Sequence, residues 1–162
     1  MVVSTLDSPK GVELPHQKLV DQQLWDRLVR RIVADHEFRQ AFGNEREDAQ
    51  RHWAERILDQ ALAFLRLCAE GDNGPYSPSP LVDIGWHAFL MYTAEYADFC
   101  ARYAGQFIHH RPNDEAVAGE VALVAHTEAS MRALGLLVDQ ELWPSDRQAE
   151  KCYACSDGGC RN

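Results

Sequence analysis

No window of this 162-residue chain approaches the roughly 18 consecutive apolar residues that a membrane-crossing helix requires. The first residues hold no apolar run of about seven after a basic start, so no secretory signal is expected. Positive charge is scarce: Lys and Arg total 16 against 25 Asp and Glu, a formal net charge of −9. Nucleic acid and anionic membranes both demand a clustered basic surface, so neither is an expected partner. The one basic cluster, Arg27 with Arg30 and Arg31, is interrupted by Leu28 and Val29 and reads as a solvated helix face. Strand alternation, an internal repeat and a Gly-rich phosphate loop are all missing. The cytoplasm is the expected compartment. There the five cysteines stay reduced and read as buried apolar residues, metal ligands or redox thiols, not as a disulfide frame.

Helical periodicity is what the sequence does contain. Residues 1–17 carry Ser4, Ser8, Pro9, Gly11 and Pro15 without a period and are expected to be a disordered N-terminal segment. A helical domain is expected over 18–144, followed by a short Cys-containing tail, 145–162. Val20, Leu24, Leu28, Ile32 and Val33 predict a helix from Lys18 to about Phe42, with Gly43 as its stop. Trp53, Ile57, Ala61, Phe64, Leu65 and Cys68 predict a second from about Glu45 to Glu70, with Cys68 as a buried small hydrophobe. His36 and His52, single and polar-flanked, read as surface residues.

The stretch Gly71 to Pro80 cannot continue a helix, because it holds three prolines and two glycines. Ser79 followed by Pro80 is the pattern of an N-cap with proline at the first helical position. Thr93 is expected to cap a continuation to about Ala104, with Gly105 ending it. Asn113, followed by Asp114 and Glu115, is expected to cap a helix through Val117, Val121, Val124, Met131 and Leu134, with Gly135 as its stop. Val138 to Trp143 is expected to add one short turn. The class is all-α: a single compact bundle of four to five helices.

Chemistry concentrates in residues 83–112. Asp83 and His87 are four apart, so a helix puts them on one face, where they can share an ion or bond each other. Cys100 lies thirteen residues beyond His87 and reaches the same site only if the chain bends, for which Thr93 marks a place. His109 and His110 are adjacent in an extended or turn segment, so one is expected to face the site and the other solvent. The candidate metal ligands are therefore Asp83, His87, Cys100, His109 and His110. Each alone has a plainer role: a hydrogen-bonded core histidine, a capping aspartate or a buried thiol. In the tail, Cys152 and Cys155 have metal-ligand spacing and Cys160 adds a third sulfur. A closed zinc site would take its fourth ligand from the helical body, for instance His109 or His110.

At these residues the chain resembles the glycine-rich-domain-protein-like family of bacteria and plants. The likeness is carried by Val82-Asp83, Trp86-His87, Thr93, Tyr96, Phe99-Cys100, Gly105, Phe107, His109-His110 and Pro112. It extends upstream through Phe64-Leu65 and Ser77-Pro78-Ser79, and downstream through Leu142-Trp143-Pro144 and the cysteines. The resemblance implies a helical domain and brings no activity with it. Some members carry a second histidine two positions after the Trp-His pair; here that position is Phe89, so the His-x-His pair is absent. The RNA-binding modules of plant relatives are missing as well.

Three readings of function stand on these residues. The first is a metal-binding domain, for zinc or another divalent transition metal, with a structural or sensory role. The second is a non-catalytic interaction module whose Cys-containing tail contacts a protein partner or is modified by one. An enzyme using His87 with Asp83 as base and orienter ranks last, because no nucleophile is spaced to match them.

Overall fold

The computed structural model describes residues 12–72, 74–111 and 119–143. Among them are six α-helices and no strand. The protein is all-α, one helix beyond the expected range. In chain order the helices are α1 (Gln22–Ala34), α2 (His36–Phe42), α3 (Glu47–Glu70), α4 (Pro80–Leu90), α5 (Thr93–Tyr103) and α6 (Glu120–Ala133), with a 3-10 turn at Gln17–Leu19.

The extra helix comes from Asp35. Its backbone is extended, and its carboxylate accepts from the amides of Glu37 and Phe38. A short acidic side chain that captures amides ahead of it starts a new helix in preference to continuing the old one. The single helix expected from Lys18 to Phe42 is thus two, and the turn drives Phe38 fully into the core.

Helix α3 is the axis of the bundle. It packs on α1, α4, α5 and α6, and every residue from Arg56 to Leu65 is buried. A helix buried all round must find partners for its polar residues. Arg56 forms a two-point pair with Asp139, Nε to Oδ2 at 2.7 Å and Nη2 to Oδ1 at 2.8 Å. Asp59 accepts from the backbone of His16 at 2.8 Å, with the His16 ring Nδ1 2.9 Å from its other oxygen. Gln60 accepts from the Asp139 amide and the Trp143 indole and donates to the Leu137 carbonyl. These bonds stitch residues 137–143, and the segment around His16, onto the central helix. His16, within the span 1–17 expected to be disordered, is buried.

Helix α4 begins as its residues dictate. Ser79 accepts from the Val82 amide, and Pro80 occupies the first turn. Gly85 then lets α4 lie close on α3: a Cβ there would stand 2.8 Å from the Ala61 Cβ and 3.1 Å from the Ile57 carbonyl. Trp86 faces inward against Phe64, with ring centroids 5.2 Å apart. The chain bends after Leu90 and restarts at Thr93. The N-cap of α5 is Tyr92 with no side-chain bond, so Thr93 is the first helical residue and not the cap. Gly105, at φ 68°, takes the left-handed conformation that turns the chain back toward α4. The expected cap at Asn113 lies outside the described residues. Gly135, also at positive φ, follows the end of α6. Residues 139–143 make a turn closed by the Leu142 amide on the Asp139 carbonyl, and Leu142 and Trp143 are buried.

Candidate metal centre

Asp83 and His87 sit one turn apart on the outer face of α4. The His87 Nδ1 is 3.5 Å from the Asp83 Oδ2. Residues 107–111 run back over this face without regular structure and bring His110 to the same carboxylate, Nε2 to Oδ1 at 3.1 Å. The two imidazole rings lie 4.4 Å apart. One ligand atom from each of Asp83, His87 and His110 falls within 4.8 Å of the others.

The segment that carries His110 is held from inside. Tyr96, fully buried on α5, accepts from the Trp86 indole at 3.0 Å and donates to the Ile108 carbonyl at 2.7 Å. Burial pushes the Tyr96 phenol above its ordinary pKa, so the hydroxyl stays neutral and keeps its donor. The Trp86 ring also packs on His110 at 4.4 Å, forming an apolar floor. Exposure rises outward: the side chain of His110 is 16% exposed, Asp83 29% and His87 54%.

Imidazole and carboxylate are donor types that divalent transition ions take. Metal bonds of about 2.0–2.1 Å place neighbouring tetrahedral ligands about 3.3 Å apart. His110 Nε2 is 3.1 Å from the Asp83 Oδ1 and His87 Nδ1 is 3.5 Å from the Oδ2, so both distances are near that edge but run to different oxygens, and one ring must shift for a single oxygen to share an ion with both. The exposed His87 is free to rotate the remaining fraction. Two imidazoles and one carboxylate suit zinc, iron(II) or cobalt(II) better than a soft ion such as copper(I).

Not every expected ligand joins the group. Cys100 is buried in the core on α5, since the bend after Leu90 directs that face of α5 toward the bundle. His109 is exposed and lies tilted beside Phe107, ring centroids 4.9 Å apart, because successive side chains of an extended segment diverge. Cys152, Cys155 and Cys160 lie outside the described residues. A cleft of about 850 Å³ bordered by Val29, Val33, Arg46 and Arg51 shares no residue with the triad. The buried His16–Asp59 pair went unnoticed in the sequence. Its one signal was the polar Asp59 set inside the apolar stretch from Ile57 to Leu65.

The model of the UCP032817-like family matches residues 25–132, more than half of the chain. The chain belongs to the UCP032817-like family. This overturns the likeness to the glycine-rich-domain-protein-like family. The aromatic and histidine spacings behind that likeness lie on a bent helical hairpin with a returning segment. In the UCP032817-like chain the matched span contains all three triad residues and every residue of the Trp86–Tyr96–Ile108 connection. No curated protein and no solved structure matches the chain. Among the described residues no helix is long and apolar enough to cross a membrane.

Proposed function

We propose that this protein is a divalent-transition-metal-binding helical domain, with Asp83, His87 and His110 as the ligands. The observation that supports it is the convergence of three ligand atoms within 4.8 Å from two separate segments. Asp83 and His87 are placed by helix α4 and His110 by the returning segment, so an ion there ties the two together. A structural or sensory role follows: occupancy would set how firmly residues 107–111 lie on α4. Zinc and iron(II) are the ions that the donor set favours.

A second reading rests on the His110–Asp83 contact at 3.1 Å. As a plain hydrogen bond, it clips the returning segment to α4 with no ion, and the protein is then a non-catalytic interaction module whose Cys-containing tail meets a protein partner.

Elemental analysis and calorimetry of untagged full-length protein separate the two. The metal reading expects about one equivalent of zinc or iron, lost in Asp83→Ala and in His87→Ala. Wild-type protein that takes up no more metal than His87→Ala overturns it and leaves the clip.

A further inference from the structure

We infer that an ion held by Asp83, His87 and His110 keeps coordination positions open to solvent and accepts a small anionic donor there, of the carboxylate or azide class. This rests on the metal-binding reading and adds what the bound ion does.

The three donors approach from one side. Asp83 and His87 project from one face of α4, and His110 leans in from the segment beside them. Trp86 closes the inner side against the His110 ring. The outer side is solvent, since the His87 side chain is 54% exposed. Among the described residues the ligand group has three members. Ions of this class take four to six ligands, and three protein donors on one face leave the opposite positions to exogenous groups. Closed structural sites supply four protein ligands; three with an open position is the arrangement of centres that bind a ligand beside the ion.

Charge selects the ligand. One carboxylate and two neutral imidazoles leave a divalent ion with a net charge of about +1. An anionic oxygen or nitrogen donor neutralises that residue of charge, and no described acidic side chain completes the group. Solvent would fill the open positions when no anion is present, and an added anion would displace it. Two imidazoles and a carboxylate with open positions is also the donor set of non-haem iron(II) centres.

Cobalt(II) is the probe, because its visible bands report both ligand number and ligand type. Full-length protein is loaded with one equivalent of cobalt(II) and titrated with sodium azide, then with sodium acetate. The expected result is a saturable shift of the visible bands with each anion, and a cobalt affinity at least roughly 10-fold weaker in His87→Ala, the least that loss of even an outer partner costs. His87 is exposed, so this variant keeps the fold. Cobalt binding with bands that neither anion moves overturns the open-site inference while the metal reading stands. An intense thiolate-to-cobalt band, lost when Cys152, Cys155 and Cys160 are changed together to serine, also overturns it, because the chain then fills its own open positions. Failure to bind cobalt at all removes the metal reading and this inference with it.

Discussion

The indole of Trp86 donates to the hydroxyl of Tyr96 at 3.0 Å inside the bundle, and the same hydroxyl donates onward to the carbonyl of Ile108. One buried phenol thus connects α4, α5 and the segment that presents His110. Trp86 neighbours one triad member in the chain, and Ile108 stands two residues before another. The segment that places His110 over Asp83 is thus held at two points, the Ile108 carbonyl and the carboxylate contact of His110 itself.

Tyr96→Phe tests the first of these points. It keeps the ring and deletes the hydroxyl, leaving the Trp86 N–H and the Ile108 carbonyl without their partner. The expected loss of stability is roughly 1–3 kcal/mol, read as a lower urea midpoint with an unchanged slope. Metal affinity should fall as well. An affinity equal to wild type in the folded variant would show that Asp83 alone holds His110.

Gly85→Ala probes the approach of α4 to α3. The added methyl meets the Ala61 side chain at 2.8 Å and the Ile57 carbonyl at 3.1 Å. Backbone at that distance cannot rotate away, so the helices must separate. Overpacking of this kind costs about 1–3 kcal/mol, and thermal unfolding should show a midpoint several degrees lower. An unshifted midpoint would mean that the two helices slide apart without loss.

Asp139→Ala addresses the Arg56 node. Arg56 is buried, stacks over Trp53 at 4.1 Å and makes its two-point pair with Asp139. The outer carboxylate of Glu141 also contacts it and remains in the variant, so the loss should be that of a charged hydrogen-bonded pair, roughly 1.5–3 kcal/mol, and not that of a fully stranded charge. Urea titration checks the magnitude. Asp139→Ala with Glu141→Ala should lose more than the two single variants added together.

Alkaline pH should weaken the fold. Burial pushes the Cys68 thiol from 9.0 up to about 12 and raises the Tyr96 phenol as well. Both groups are held neutral in the folded chain and ionise more easily when unfolded. Their contribution is complete below the unfolded pKa of Cys68 near 9 and declines as pH climbs from there toward the folded value. The urea midpoint should therefore fall between pH 8 and pH 10. Cys68→Ala should flatten part of that slope. In native protein at pH 8, peptide mapping after alkylation should find Cys68 slower to react than after unfolding.

Much of this protein was legible along the chain because helices are local. The apolar periods of α3, the Ser79-Pro80 start of α4 and the glycine after α5 all act through neighbours within a turn or two, and each appears as expected. Asp35 shows the limit: its carboxylate competes with the helix for amides two and three residues ahead, a choice between two local structures that periodicity does not rank. The family likeness failed as well: the family model that matches residues 25–132 is another one.

By itself the sequence determined that the protein is helical, that it carries a surplus of acid, and that Asp83 and His87 share a helix face, because four residues make about one turn. Which of the remaining candidates joins them was a matter of direction, not spacing. His109 and His110 are adjacent in sequence, and only the folded path of residues 107–111 over α4 shows that the His110 ring turns to Asp83. Cys100 was near enough in the chain to belong, but the bend after Leu90 buries it. Likewise nothing local to Asp59 announces His16, 43 residues away. A buried carboxylate must find a partner inside the packed core, and that demand exists only in the folded bundle.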